Sequence, residues 1–346
     1  MCTTFTMKFK EHFLLGQNYD FYYGHGLIVV SPRGLSKFSL SEKEEERLRW
    51  VSKYGNVTFT QFGRELPMSG MNENGLAIAM MFHEDGELPV SDERPSLNEL
   101  QWIQYQLDNF GTVEEVIKHL EDIRIEKSIY ALHYSVCDAT GKTVLIEFIN
   151  GKAKVIDQAT YFIITNTSYE KSLDYANQFA SQSIQQLSRN AGSLDRFTLG
   201  YRLLEQAHHK PSPNAIEQAF SILKEVSVKP SLQSMWNWIG KRVPPTFTYW
   251  SIVFDLNNFT IYLKDQKNKN IRQFSIQQFD FAHLDHALSL PIDNQLCGDI
   301  TNNFTPYSNK DNERIITISY KPISHLISKE DQKELITYPD QFYQVQ

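Results

Sequence analysis

Cysteine is scarce in this chain: Cys2, Cys137 and Cys297 are the three thiols among 346 residues. So few, so scattered, they form neither a disulfide framework nor a zinc knuckle. Basic charge is also short. Thirty-four lysines and arginines stand against 41 aspartates and glutamates, for a formal net charge of -7. That balance offers no footprint for nucleic acid and no polybasic anchor for a membrane surface. Long apolar runs are missing, since none approaches the roughly eighteen residues of a spanning helix. The opening segment carries Thr3, Thr4, Lys8, Lys10 and Glu11 and has no signal-peptide apolar core. A cytoplasmic protein with no nucleic-acid and no membrane partner is expected. Gly24-His25-Gly26 lacks the further glycine and helix of a phosphate cradle.

What is present is aromatic and sheet-forming. Aromatics reach 13% and hydrophobic residues 41%, as in a globular protein able to bury a large core. Cys137 lies in an apolar strand pattern and reads as a buried small hydrophobe. His208-His209 sit near a helix end, where histidine suits the dipole. His283 and His286 lack a carboxylate or thiol partner at metal-ligand spacing. No metal and no cofactor are expected.

Cys2 is the residue with chemical promise. It follows Met1 in Met1-Cys2-Thr3-Thr4-Phe5, and a side chain as small as cysteine permits removal of the methionine. A mature Cys2 would carry a thiol of pKa about 8.5 and an α-amine of about 7.7–8.0 on one Cα. The amine can then activate the thiol, as in N-terminal nucleophile catalysis. Position alone also fits an unremarkable cysteine on a frayed end.

The pattern along the chain is strands, helices, strands, helices, strands. Phe5, Met7 and Phe9 alternate with polar neighbours, predicting a half-buried strand. His12–Leu15 predicts a second strand running into Gly16-Gln17-Asn18-Tyr19-Asp20, so that a short hairpin returns Asp20 to Cys2. Gly26–Val30 predicts a third, stopped by Pro32. Ser96 with Glu99 reads as a capping box for a helix bearing Leu100, Ile103 and Leu107 and ended by Gly111. Thr112 with Glu115 starts another. Strands are predicted at Leu132–Cys137, Thr143–Ile149 and Tyr161–Thr165, with a hairpin turn at Asn150-Gly151. Helices are predicted over Leu194–Gln206 and Ala215–Val226, and a hairpin over Phe247–Leu263 turning at Asn257-Asn258. This is α+β with antiparallel sheets, not alternating βαβ.

Read through to Arg196, the chain resembles the choloylglycine hydrolase and penicillin V acylase family, linear-amide C–N hydrolases of the N-terminal nucleophile fold. The matching segments occur in order: Met1-Cys2-Thr3-Thr4, Gly16-Gln17-Asn18-Tyr19-Asp20, Gly70-Met71-Asn72-Glu73-Asn74-Gly75-Leu76-Ala77, Thr165-Asn166 and Ser193-Leu194-Asp195-Arg196-Phe197. The resemblance implies a four-layer αββα sandwich of two antiparallel sheets between helical layers. It implies a hydrolase domain over residues 2–297, leaving 298–346 as an extension of unassigned role.

The resemblance further implies Cys2 as nucleophile, with its own amine as base, and Asp20 hydrogen-bonded to that amine. Arg196 would place positive charge near the sulfur. Asn166 and the Phe82 backbone N–H would hold the oxyanion. Two positions depart from the usual pattern. Gln17 stands where the family has arginine, which removes one cation. Phe82 stands where bile salt hydrolases commonly have asparagine and penicillin V acylases tyrosine, offering an apolar wall. The expected function is hydrolysis of a small-molecule linear amide through a Cys2 thioester, by a homo-oligomer. The alternatives are an acyl-homoserine-lactone acylase or acyltransferase on the same scaffold, or a catalytically silent ligand-binding member.

Overall fold

The computed structural model describes residues 1–40, 47–126, 130–229 and 245–345. Strand β1 (Cys2–Phe9) and strand β2 (His12–Phe21) form an antiparallel hairpin with Cys2 opposite Tyr19 and Thr4 opposite Gln17. β2 is a single ten-residue strand, so the strand predicted over His12–Leu15 continues through Gly16–Asp20. β1 is not half-buried: Thr3 and Thr4 are as enclosed as Phe5, because the sheet is covered on both faces.

That hairpin sits inside a seven-stranded sheet. Its order is Ile163–Ile164, β1, β2, Phe247–Asp255, Thr260–Asp265, Arg272–Ser275 and Gly298–Asp299. A nine-stranded antiparallel sheet packs against it, running Lys152–Ile156, Thr143–Ile149, Leu132–Cys137, Ala77–Phe82, Pro67–Asn72, Asn56–Thr60, Leu27–Ser31, Leu288–Pro291 and Thr305–Pro306. Thr4 and Ser135 join the two sheets by a 2.6 Å hydroxyl hydrogen bond. Helix α1 (Gln101–Asn109) and the short α2 (Val113–Lys118) follow one another in the chain, and α1 covers the outer face of the nine-stranded sheet. Beyond the further helix α3 (Tyr169–Asn177), α4 (Ser193–His209) and α5 (Ala215–Glu225) cover the other sheet. The result is the expected αββα sandwich.

Strand parity decides what each residue of the hairpin does, since residues directly opposite share a face. Cys2, Thr4, Gln17 and Tyr19 face the partner sheet; Thr3, Phe5, Gly16 and Asn18 face the helices. Gly16 leaves room for the Phe5 ring, whose Cζ would lie 2.8 Å from an added Cβ. Asn18 Nδ2 donates to the Leu223 carbonyl of α5 at 2.7 Å. Tyr19 stacks on Trp250, with centroids 4.2 Å apart.

Two local expectations are corrected. Ser96 and Glu99 form no capping box. Ser96 lies in a short strand, Ser96–Asn98, and its hydroxyl donates to Glu126. The first-turn N–H groups of Leu100 and Gln101 go instead to Asn98 Oδ1. Helix α3, directly after Asn166, has no counterpart among the predicted elements. Thr112 does cap α2 by accepting from Glu115 N–H, and Asn214 caps α5 by accepting from Glu217 N–H.

The segment from 298 onward is tied to the same body. Asn312 Oδ1 accepts from Arg64 N–H at 2.8 Å, and Tyr343 pairs with Ser36. Tyr320, Ile323 and Leu335 join the main core.

Candidate active site

Cys2 is 3% exposed and opens on a cavity of about 1030 Å³. Burial pushes its thiol pKa up, opposed by the N-terminal charge, the Asp20 backbone N–H and Arg196. With Met1 in place the Cys2 nitrogen is an amide, which donates to Asn166 Oδ1 at 3.3 Å. Asp20 lies next along β2 from Tyr19, as the hairpin argument required. Its Oδ1 accepts from the Thr248 hydroxyl, its backbone carbonyl accepts from the Met1 amine at 3.2 Å, and its Oδ2 has no hydrogen-bond partner. Burial raises the Asp20 pKa, against the lowering effect of Arg196 and the N-terminal charge.

Arg196, in the first turn of α4, is the organiser. Its Nη1 donates to the Cys2 carbonyl at 2.7 Å and to Thr3 Oγ1 at 2.5 Å, and its Nη2 donates to Asn166 Oδ1 at 2.6 Å. Asp20 Oδ2 stands 3.8 Å from Nη1 and balances a guanidinium that is 2% exposed. Because arginine only donates, the Asn166 atom facing it must be oxygen, and this fixes the amide's orientation. Asn166 Nδ2 is thereby aimed across the sheets and donates to the Phe82 carbonyl at 2.9 Å.

The Phe82 backbone can be oriented from register. Phe82 lies opposite Leu132, and the next residue, His83, donates its N–H to the Ala131 carbonyl at 2.9 Å. Hydrogen-bonded and non-hydrogen-bonded pairs alternate along an antiparallel ladder. Phe82 therefore turns both its N–H and its C=O away from Leu132–Cys137, the C=O toward Asn166. Its ring lines the cavity and meets Tyr130 edge to face at 5.3 Å.

Gln17 is not brought to the cavity. It lies wholly between the sheets, its Nε2 3.5 Å from the carbonyls of Met68 and Met80. The structure thus joins Cys2, Asp20, Asn166, Arg196 and Phe82 and leaves Gln17 behind them.

Several residues at the site had no role assigned from the sequence. Thr3 and Thr248 bind Arg196 and Asp20, as above. Ser193 Oγ accepts from the N–H groups of both Asn166 and Thr167 at 2.9 Å. Residues beyond 298 form part of the cavity wall: Tyr320, Ile323, Leu326 and Leu335 line it, with Asp331 and Glu334 nearby. Behind Phe82 and Asn166 lies a wholly buried group of His83, His133 and Glu147. A signal for it existed in Glu147, a lone charge inside the apolar run Thr143–Ile149.

Among the described residues this group offers ligand atoms for a metal ion, all within 4.8 Å of one another. The two imidazoles, however, stack 4.3 Å apart at an interplanar angle of 14°. Lone pairs in nearly parallel planes do not converge on one ion, which must lie in the plane of each ring. On the surface, His283 does have a carboxylate partner that the sequence reading missed, Asp280 at 2.9 Å. A single exposed pair does not make a metal centre.

Comparison with known proteins bears on this arrangement. Residues 2–290 match the family model of linear amide C–N hydrolases, choloylglycine hydrolase family. A penicillin V acylase of Pectobacterium atrosepticum is 27% identical, over 68% of this chain and 69% of its own. A bile salt hydrolase/transferase of Clostridium perfringens is 26% identical, over 54% of this chain and 60% of its own. In structure, the penicillin V acylase of Agrobacterium tumefaciens superposes with a TM-score of 0.75 at 23% identity, covering 89% of this chain and 98% of its own. The C2A mutant of the conjugated bile acid hydrolase of Clostridium perfringens gives 0.73 at 20%, covering 86% and 98%.

Proposed function

The chain belongs to the choloylglycine hydrolase family of linear amide C–N hydrolases, and from that premise we propose that it cleaves a small-molecule amide by acyl transfer to Cys2. The observation that carries the proposal is the Arg196 fork, which binds the Cys2 carbonyl and Asn166 Oδ1 together behind a cavity lined by Cys2 and Phe82. Once Met1 is removed, the Cys2 amine takes the thiol proton, and the thiolate attacks the amide carbon. A second Nδ2 hydrogen of Asn166 and the Phe82 N–H receive the oxyanion. The tetrahedral intermediate collapses, the Cys2 ammonium protonates the departing amine, and a thioester remains. Water, deprotonated by the Cys2 amine, attacks the thioester and releases the acid. Asp20 and Thr248 hold the amine's surroundings, and Arg196 offsets part of the burial cost of the thiolate.

The test is Cys2→Ser. A hydroxyl has a far higher pKa than a thiol, so the amine generates too little nucleophile and most turnover is lost while the fold persists. Wild-type turnover in the serine variant, with Met1 shown absent by mass spectrometry, would falsify the mechanism. A second reading is favoured by one relative's description as a hydrolase/transferase: the thioester passes its acyl group to an added amine. The ratio of acid to new amide in the products separates the two.

A further inference from the structure

The two groups assigned to the oxyanion come from different sheets, so something must hold the sheets in register at that point. Phe82 ends a strand of the nine-stranded sheet; Asn166 follows Ile163–Ile164, the edge of the seven-stranded sheet. His133 spans the gap. It belongs to the nine-stranded sheet, and its Nε2–H donates to the Thr165 carbonyl at 2.8 Å. A carbonyl can only accept, so the proton on Nε2 is settled. Nδ1 then faces Glu147 Oε1 at 3.6 Å. Glu147 in turn accepts from the Tyr169 N–H at 2.7 Å, at the start of α3. The pair therefore grips the Asn166 loop on both sides, at the residue before it and at the third residue after it. His83, the neighbour of Phe82, stacks against His133 and completes the link to the other oxyanion group.

The electrostatics fit a bracing role. Glu147 stays ionised although burial alone would raise its pKa, because His133, the Tyr169 N–H and His83 together lower it. A charged carboxylate and two imidazoles inside a sandwich are expensive to bury. His133 and Glu147 bind the backbone on either side of Asn166, and among the described residues neither His83 nitrogen has a hydrogen-bond partner.

Resting on the proposed amidase reading, we propose that His133, acting with Glu147 on the two sides of the Asn166 loop, is a positioning residue that sets the Asn166 amide at oxyanion distance from the Phe82 N–H. It touches no substrate. A misplacement near 1 Å can cost roughly 100-fold in rate, and such a loss falls on the transition state more than on binding.

The experiment compares His133→Leu, His133→Gln and Glu147→Gln with the wild type. The readouts are kcat per Cys2 alkylated by iodoacetamide, counted by mass spectrometry of the N-terminal peptide apart from the exposed Cys297, KM, and a crystal structure of each variant. His133→Leu is expected to lower kcat by roughly 10- to 100-fold with KM within about twofold. Its structure should show Asn166 Nδ2 moved off the Phe82 carbonyl. His133→Gln, which can still donate an N–H to Thr165, should recover most of the rate. Glu147→Gln should fall between them. If His133→Leu does not fold, the two amide variants carry the test. A structural role alone would lower the melting temperature and the fraction of titratable thiol, yet leave kcat per thiol unchanged; that result overturns the proposal. Failure of the parent reading looks different, since the wild type itself would turn over no amide. The crystal structures still decide the positioning in that case, and an Asn166–Phe82 bond kept in all three variants overturns it.

Discussion

Asn166 gives its side-chain oxygen to Arg196 and to the Cys2 N–H, which leaves its two amide hydrogens for acceptors. One already rests on the Phe82 carbonyl. The other is the hydrogen assigned to the oxyanion. Asn166→Ala is therefore expected to lower kcat by about 100- to 1000-fold, the equivalent of about 2.7–4 kcal/mol, with little change in KM. Steady-state kinetics decide it: an unchanged kcat with a large KM defect would make Asn166 a substrate-binding residue instead. Its neighbour across the sheets gives a pH prediction. Burial, followed by the influence of His133, lowers the His83 pKa to about 4 from an ordinary 6.5. Between those values the unfolded chain binds more protons, so stability rises with pH. The contribution is complete above about pH 6.5, amounts to roughly 3 kcal/mol there, and is lost as pH falls through 4. His83→Phe keeps a ring for stacking and cannot titrate. Its urea midpoint should fall less than that of the wild type between pH 7 and 4.5; parallel losses would sink the assignment.

Among the elements, the segment Gly70–Ala77 proves to be scaffold. Asn72 Nδ2 donates to the carbonyls of Leu107 and Phe110 at the end of α1, and its Oδ1 accepts from the N–H groups of Asn74 and Leu76. Gly70 sets how closely α1 can approach. A Cβ there would lie 2.7 Å from the Val57 carbonyl oxygen and 2.8 Å from Leu107 Cδ1. Backbone oxygen cannot step aside, so Gly70→Ala is expected to cost about 1–3 kcal/mol. A urea midpoint equal to the wild type's would refute this. The hairpin that brings Asp20 to Cys2 was legible in the sequence because alternation and a short connection suffice. The strands around Gly70 were not. Asn56–Thr60 does alternate, with Val57 and Phe59 between polar neighbours, but Pro67–Asn72 is enclosed on both faces and shows no period of two, and Ala77–Phe82 is an unbroken apolar run. Such runs do not separate strand from helix. Asn166 and Arg196 were reachable through family resemblance alone, since neither residue has a local pattern. Thr248 and His133 had no such guide, being polar residues whose partners lie far off in sequence, and Ser193 lay in a matched segment that gave it no role.

For the molecule as a whole, the cavity is shaped by both ends of the chain. Phe21, Phe62 and Phe82 provide aromatic faces, and Tyr320, Ile323 and Leu326, all beyond the residues matched by the family model, add to the same wall. Phe62 and Tyr320 are in ring contact at 5.2 Å. Charged residues such as Arg47, Arg124 and Glu126 share the lining, but the aromatic at position 82 and the apolar side of the wall are expected to favour a phenoxyacetyl or medium-chain acyl group over a conjugated bile acid. Gln17 acts in the same direction only by omission, as it lies behind the site. Polar contacts that are left unmade cost more discrimination than an added methylene, which is worth about 1–3 kcal/mol. The kcat/KM for penicillin V is accordingly expected to exceed that for glycocholate. A higher value for glycocholate would put the bile salt reading in front.

The contacts that assemble the site close very long stretches of chain: 164 residues from Cys2 to Asn166, 194 from Cys2 to Arg196, and 228 from Asp20 to Thr248. Such closures are entropically costly and slow. Cys2 is synthesised well ahead of all three partners, and nothing in its own hairpin supplies the guanidinium or the amide. Through that interval the thiol has neither the shelter of the sandwich nor its electrostatics. It is an ordinary thiol in an unfinished polypeptide, open to passing oxidants and electrophiles. On the proposed mechanism, the same separation leaves a partly made chain without an assembled site, and the partners of Cys2 and its shelter arrive together.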